Sequence, residues 1–415
     1  MTPTAIGDPA RPAPAVDGRI DRALVVLLAV TTGLAVASNY YVQPLLARLQ
    51  TDLHLHGTTA GLIVTVSQFG YVLGLIFVLP LGDLFERRRL IVVLAVGTAL
   101  ALVGFALSRS AAEVMIAAAF VGLLSVVAQV LVPFAASLAH DDERGKVVGT
   151  VMGGLLLGIL VARTVAGYLA ELGGWPTVFW VAAGLMLVSA LALRLRLPRF
   201  HAQAGLSYPR LLASTLALVR DEPVLRLRMI YGVMSFGAFS VLWTSIAFLL
   251  AGAPYHYSTG TIGLFGLIGA AGALAANAAG RLADAGHERF TTGATAVLLC
   301  LSWWPVALGK HSLLALIIGV IVLDLAVQGL HISNQSQIYR LRPEARARIT
   351  SAYMTAYFTG GAAGSALSTA AYVHSGWMAV CLVGAGFGAL AIVLWVVGLL
   401  FAKRSPSTPS MAVSA

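Results

Sequence analysis

The stretch PLGDLFERRRL, Pro80–Leu90, holds the densest group of charges in the first half of this chain and lies between two long apolar runs. An aspartate, Asp83, is followed by three consecutive arginines, Arg87–Arg89. Basic residues beside an apolar run are typical of the cytoplasmic end of a membrane span. The arginines are therefore explained by membrane orientation, but Asp83 is not.

Part of this pattern recurs in the second half of the chain. A shift of 201 residues superimposes Asp83 on Asp284 and Arg88 on Arg289, and it places LPLGD on GRLAD. Transporters are commonly built from repeated halves, with the substrate site near the midplane between them. The repeat therefore indicates two related halves and a site between them.

The composition excludes a soluble protein. The chain has 415 residues, of which 59% are hydrophobic and 11% are charged, whereas a soluble domain carries about 25% charged residues. We therefore expect the lipid bilayer to be its solvent. The net charge of +10 comes from residues in loops beside apolar runs, so we expect no nucleic-acid partner. The two cysteines, Cys300 and Cys381, provide neither a disulfide framework nor a metal site.

About twelve apolar runs have the length of roughly 20 residues that a spanning helix needs. They lie at 23–46, 57–81, 89–107, 112–138, 147–170, 176–194, 226–251, 259–282, 289–308, 312–339, 348–373 and 377–401.

The distribution of basic residues predicts the orientation. With both termini in the cytoplasm, the loops and tails on that side hold 23 of the 27 Lys and Arg residues. The opposite loops hold only Arg48, Arg109 and Lys310. This asymmetry is the positive-inside rule of a plasma (inner) membrane protein.

The fold class that follows is an all-α integral membrane protein of 12 transmembrane helices in two pseudo-symmetric six-helix bundles. The linker between the bundles is either a short helix on the membrane surface or a plain connector. The predicted units are a cytoplasmic tail (1–22), a first bundle (23–194), a cytoplasmic linker (195–225), a second bundle (226–401) and a cytoplasmic tail (402–415).

Over essentially its whole length the chain resembles the major facilitator superfamily. The signature of that family after the second span is Gly-x-Leu-Ala-Asp-Arg-x-Gly-Arg-Arg, which is matched here by Leu81, Asp83, Arg87 and Arg88, and in the second half by Gly280, Leu282, Ala283, Asp284 and Arg289. The general pattern is similar to the drug/proton antiporter branch and its sugar-efflux relatives. The resemblance implies alternating access and a central cavity lined by helices one, four, seven and ten.

The resemblance also implies a cytoplasmic gate. Asp83 lies where the helix dipole disfavours an anion, so it needs a partner elsewhere, and the family places such an Asp against the start of the eleventh helix, at 346–350. The alternative is a solvated carboxylate paired with Arg87. The predicted gate residues are Asp83, Arg87, Arg88, Asp284 and Arg289.

Two charged residues are predicted deep inside spans: Arg163 in the fifth and Asp324 in the tenth. Charges there are costly and usually functional. Asp324 shares one helical face with Gln328, His331 and Gln335, so it is the predicted proton site, and a permanently paired Asp is the alternative. His331 is either a proton relay or a packing residue. Arg163 binds either Asp324 or an anionic substrate.

Further polar and aromatic residues on the cavity-lining helices are candidate substrate contacts. The predicted cavity set is Asn39, Tyr40, Gln43, Gln129, Tyr231, Trp243, Gln328, Gln335 and Tyr357. Glycines crowd spans five, eight and eleven, where they permit close helix contacts, either for rocking of the halves or for static packing.

No nucleophile–base pair, metal cluster or phosphate-binding loop is present in the sequence. We therefore expect no enzyme activity, no catalytic or metal-binding residues and no cofactor, and an ion gradient as the energy source. The prediction is a monomeric inner-membrane exporter in which protons drive efflux of small organic molecules (drug-like compounds, sugars or metabolites) by antiport. One alternative is an importer or exchanger of an anionic metabolite anchored by Arg163, and the other is a non-transporting membrane sensor.

Overall fold

The computed structural model describes residues 20–140, 142–200, 207–269, 272, 288–342 and 345–404, and all regular elements in these ranges are helical. Helices satisfy every backbone polar group internally, which lipid demands. The helices of the first half are α1 (Arg22–Ala37, followed by Gln43–Leu45 and Leu46–Asp52), α2 (Gly57–Leu73, continued by Gly74–Val78 and Leu79–Asp83), α3 (Arg87–Leu107), α4 (Ala111–Leu124 and Val127–Leu138), α5 (Arg144–Gly173) and α6 (Trp175–Arg196).

The second half repeats this arrangement after a helix in the linker, Tyr208–Asp221. Its helices are α7 (Pro223–Ala251), α8 (Thr259–Gly269), α9 (Glu288–Leu301 and Trp303–Leu308), α10 (Leu313–Ile338), α11 (346–375) and α12 (377–404). The last two are joined without a break in the hydrogen-bonding pattern, but Gly376, with φ of 72°, turns the chain between them.

Nine helices in the described residues are long and apolar enough to cross a membrane, with α11 and α12 counted together as Arg346–Leu400. Two shorter apolar helices, α1 and α8, occupy the first and eighth predicted runs. The structure therefore has a helix on each of the predicted runs, although α8 is described only over its first part.

The backbone geometry carries the internal repeat. Positive φ angles occur at His54 (49°) and His256 (49°), and at Gly174 (81°) and Gly376 (72°). Both pairs are 202 residues apart, so the same turns follow α1 and α7, and α5 and α11. Glycine adopts such angles at low cost, which explains its presence between α5 and α6 and between α11 and α12.

The two halves pack against each other along α2 and α11, where aromatic side chains are in contact. The rings of Tyr71 and Phe358 lie 4.2 Å apart between centroids. We call the end of the bundle where α1 begins the near end, and the opposite end the far end. By chain direction, α2 and α8 run from the far end to the near end, and α5 and α11 run the opposite way.

The linker between the two bundles, for which a short helix and a plain connector were the alternatives, contains a helix, Tyr208–Asp221. It buries Leu211 and Leu218, which lie about two turns apart on one face of the helix. The Tyr208 hydroxyl donates to the carbonyl oxygen of Phe77 at 2.8 Å. The linker is therefore anchored to the near end of the first half.

Candidate functional site

Arg163 lies in the far half of α5 and is only 3% exposed. Its Nε donates to Oε1 of Gln43 at 2.7 Å. The centre of its guanidinium lies 3.9 Å from the ring centroid of Trp243, 4.9 Å from that of Tyr40 and 5.5 Å from that of Phe239. Aromatic faces attract a cation by about 0.5–2 kcal/mol each. The cation is thus held by an amide oxygen and three rings.

Arg163 forms no ion pair with a carboxylate within the part of the chain that the structure describes. Its Nη2 is buried and has no hydrogen-bond partner there. Asp324, one of the two alternative partners of Arg163, therefore forms no ion pair with it, and Nη2 is a donor without a partner among the described residues.

Asp324, in the middle of α10, is 5% exposed. Its Oδ1 accepts a hydrogen bond from Nε1 of Trp243 at 3.3 Å. The same indole that covers the guanidinium of Arg163 with its face therefore binds Asp324 with its edge. The two buried charges are neighbours that share Trp243 instead of forming a direct pair.

The members of this cluster come from different halves. Arg163, Gln43 and Tyr40 belong to the first half, whereas Trp243 and Asp324 belong to the second. The contact between Arg163 and Trp243 therefore lies at the boundary between the two halves.

The glycines of α8 explain how this helix fits between Arg163 and Asp324. A Cβ at Gly266 would lie 3.0 Å from Cβ of Arg163, and one at Gly263 would meet the Arg163 carbonyl oxygen. A Cβ at Gly269 would overlap Oδ2 of Asp324. The predicted close contacts of span eight are therefore contacts with the two buried charges.

This packing gives a first prediction. In Gly269→Ala the new methyl group must displace the carboxylate of Asp324. We therefore expect the transport rate to fall about tenfold or more, because an increase of about 1.4 kcal/mol in the activation free energy already lowers a rate tenfold. Initial transport rates in proteoliposomes measure the loss. Gly104→Ala is the matched control because no heavy atom lies within 4 Å of its added Cβ; equal rates for the two variants would contradict the placement of Asp324.

His331, on the same face of α10, lies against aromatic rings of α11. Nδ1 of His331 lies 3.0 Å from the Tyr353 hydroxyl, and its ring lies 4.6 Å from that of Tyr357. Gln328 and Gln335 are half-buried. The face thus continues from Asp324 toward the near end as polar side chains with a hydroxyl neighbour.

Asn39 and Gln129, predicted as substrate contacts, have partners in their own half. The Asn39 amide donates to Ser125 at 2.7 Å and accepts from Ser67 at 3.2 Å. Nε2 of Gln129 donates to the Tyr71 hydroxyl at 3.1 Å. The structure therefore uses both amides to join α1, α2 and α4, because polar groups in lipid form hydrogen bonds between helices.

Arg228 is a buried charge that the sequence did not single out, since it follows the other basic residues of the linker. It is 8% exposed, and its Nη1 donates to Thr292 (3.0 Å) and Asn334 (3.4 Å). Its guanidinium lies 5.6 Å from the ring of Tyr231, which was predicted to line the cavity. The position of Arg228 within the seventh apolar helix was the available signal.

Hydroxyl and amide contacts between the halves were also missed. Nε2 of Gln68 on α2 donates to Ser240 on α7 at 3.2 Å, and Thr65 on α2 donates to Ser365 on α11 at 3.0 Å. Such residues are common in membrane helices, so their sequence positions alone do not distinguish them.

At the near end, Asp83 has the alternative arrangement, a solvated carboxylate beside Arg87. The carboxylate of Asp83, 43% exposed, lies 3.7 Å from Arg87, and it forms no hydrogen bond or ion pair with α11 in the described residues. Arg88 donates to the Leu197 carbonyl oxygen at 3.1 Å. Arg289 is exposed, and Asp284 lies outside the described residues. In this conformation Asp83 of the predicted cytoplasmic gate therefore pairs within the first half and not with the start of α11.

The glycines of α5 and α11 divide between both predicted roles. Gly158 packs on Gly33 of α1, and Gly364 packs on Gly237 of α7, in each case within one half. Gly167, in contrast, meets Thr259 of α8 in the other half. Contacts of the first kind pack helices within one half, whereas Gly167, and Gly361 of α11 against Gln68 of α2, lie between the halves.

Comparisons with known proteins agree on one family. The family model of the Major Facilitator Superfamily matches residues 28–303. The transporter YgaY of Escherichia coli O157:H7 is 55% identical over 373 residues, which cover 90% of this chain and 95% of that protein. The transporter SCO4007 of Streptomyces coelicolor is 33% identical over 396 residues, covering 95% and 90%.

A solved structure has the same fold. The peptide transporter POT superimposes with a TM-score of 0.73 at 15% identity, over 92% of this chain and 94% of that one. At this identity the likeness concerns the fold alone.

Proposed function

Because this chain belongs to the Major Facilitator Superfamily and is a multi-pass membrane transporter, we propose that it is a proton-coupled exporter of small organic molecules that works by antiport in the bacterial inner membrane. In this proposal it acts as a monomer without a cofactor, with both termini in the cytoplasm. The far end then faces the periplasm.

The observation that carries the proposal is that two neighbouring buried charges belong to different halves, Arg163 to the first and Asp324 to the second. Arg163 and Asp324 share Trp243, so rocking of the halves changes the distance between them. A nearby cation favours the charged form of a carboxyl group, and an apolar surrounding without a cation favours the neutral form. Movement of the halves therefore changes the proton affinity of Asp324.

The proposed cycle couples the two movements in the following order. When the far ends part, Arg163 leaves with the first half, and Asp324 takes a proton from the far side. When they close, the cation returns and Asp324 releases its proton toward the near side, where His331 and Tyr353 continue the polar face. Substrate binds at the deprotonated site and leaves at the far side, so protons enter as substrate exits.

This cycle predicts the sign of the linkage between substrate and proton. If both compete for Asp324, substrate binding at a pH where Asp324 is protonated releases up to about one proton per transporter. Weakly buffered detergent-solubilised protein with a pH dye measures it, with compounds first selected by thermal stabilisation. Release that disappears in Asp324→Asn is the expected result, and binding without any proton exchange would contradict the coupling site.

A second candidate function is favoured by the buried, unpartnered Nη2 of Arg163. A carboxylate substrate would bind this donor and weaken the influence of the cation on Asp324, which would then take up a proton. Substrate and proton would travel together, as in an importer of an anionic metabolite. Proton uptake on binding of an organic acid, in the same measurement, would support this candidate against the exporter.

A further inference from the structure

Glu171, near the far end of α5, reaches from the first half to the start of α8 in the second half. Its Oε1 accepts a hydrogen bond from the backbone N–H of Gly260 at 2.8 Å. The first N–H groups of a helix have no partner within the helix and carry partial positive charge, so a carboxylate is a favourable acceptor. This bond is a charge-assisted link between the two halves.

A row of contacts continues from this link into the membrane. Thr259 donates to the Gly167 carbonyl oxygen at 3.3 Å. One turn deeper, Thr164 donates to the Gly263 carbonyl oxygen at 3.0 Å. We call this row, together with the Glu171–Gly260 bond and the packing of Gly266 on Arg163, the α5–α8 seam.

The order of these contacts gives the seam a mechanical consequence. Arg163 lies at its inner end and is the residue next to Thr164, whereas Glu171 lies at its outer end. Separation of α8 from α5 at Glu171 therefore opens the seam toward Arg163. It also withdraws that cation from Trp243, which moves with the second half.

The repeat places a second seam between α2 and α11, but without charges. At the offset of 202 residues, Ser365 corresponds to Arg163, and it accepts a hydrogen bond from Thr65. The residue that corresponds to Glu171 is Val373. Among the described residues of the two seams, a carboxylate occurs only at the tip of α5–α8, so the two seams are not equivalent.

We propose that Glu171 is the latch of the far-end gate and a positioning residue for Arg163. Its bond to Gly260 holds the far end closed, and its loss lets α8 leave α5. The link from this opening to proton release rests on the proposed function, whereas the latch itself concerns only the distance between the halves.

The test is a distance measurement between the halves at the far end. Spin labels at Arg48→Cys in the first half and Lys310→Cys in the second, in a Cys300→Ser, Cys381→Ser background, report that distance by double electron–electron resonance. In Glu171→Ala the ratio of long to short distances should rise about threefold to tenfold, the range for an exposed charge-assisted hydrogen bond. Glu171→Gln, which keeps an acceptor oxygen without the charge, should fall between Glu171→Ala and the parent.

Glu113 provides the matched control, because its Oε2 accepts from the Arg109 N–H at 2.6 Å within the first half. Glu113→Ala should leave the distance distribution unchanged. Gly260→Ala should open the far end in the same way, because its Cβ would lie 2.8 Å from the carboxylate oxygens of Glu171. This variant replaces Glu171→Ala in the test if Glu171→Ala does not fold.

Two outcomes would overturn the latch. One is a parental distance distribution in both Glu171→Ala and Gly260→Ala, whatever happens to transport. The other is an equal shift in Glu113→Ala. Because the measurement involves neither substrate nor protons, failure of the latch is distinct from failure of proton-coupled export.

Discussion

Replacing Asp324 with Asn is expected to abolish proton-driven transport. Asn has nearly the shape of Asp, and its amide oxygen can still accept from Nε1 of Trp243, which lies 3.3 Å from the Asp oxygen. It cannot carry a proton through the cycle. Uphill transport should therefore fall about a hundredfold or more, which is the lower range for removal of a positioned proton-transfer group.

The measurement compares two assays on the same proteoliposomes. Accumulation driven by an imposed pH gradient reports the proton-coupled cycle, and counterflow of labelled substrate reports binding and rocking without net proton movement. Asp52→Asn is the control, because Asp52 is a partly exposed far-end carboxylate that pairs with Arg48 at 2.8 Å. Uphill accumulation by Asp324→Asn at the wild-type rate would place the coupling proton elsewhere.

Replacing Arg163 with Gln is expected to have the second largest effect. Without the cation, nothing in the closed state drives the proton from Asp324, so the site stays protonated until the pH is higher. Transport should fall about tenfold at neutral pH, the effect of roughly 1.4 kcal/mol, and its optimum should move to higher pH. The transport rate of Arg163→Lys should lie between those of the wild type and Arg163→Gln, because an ammonium keeps the charge but not the planar stacking on Trp243.

The pH profile of initial transport rates, measured with equal pH on both sides, separates this effect from misfolding. A merely destabilised protein loses transport at every pH, whereas the expected variant recovers as the pH rises. Arg48→Gln, at the exposed far-end pair, should keep the wild-type profile. An unchanged optimum in Arg163→Gln would show that Arg163 does not act on the proton site.

The fold could be predicted because its signals are large. Long apolar runs, basic residues on one side and a repeated charge motif each reflect the energetic cost of placing polar groups in lipid. The same cost made Arg163 and Asp324 conspicuous, since a charge in a span is rare. Their connection through Trp243 was not predictable, because it depends on how helices of the two halves cross.

The amides and the near-end carboxylate show the limit of reading single positions. Asn39 and Gln129 lie on predicted cavity helices, but they are hydrogen-bonded to side chains of their own half. Asp83 pairs with Arg87, four residues away. Local partners compete with distant ones for every polar group, and the sequence does not show which partner is closer in space.

Glu171 illustrates a contact that only the three-dimensional arrangement reveals. In the sequence it is a single carboxylate at the end of an apolar run, with no motif around it. Its acceptor role depends on the start of α8, which lies 89 residues further along the chain.

The measurement that tests the account most directly is proton flux in proteoliposomes that contain an internal pH dye and are screened with metabolites and cationic drugs. With the substrate inside and protons outside, the account predicts substrate-dependent entry of protons that is lost in Asp324→Asn. Substrate movement without proton flux in either protein would contradict it and would favour an exchanger centred on Arg163.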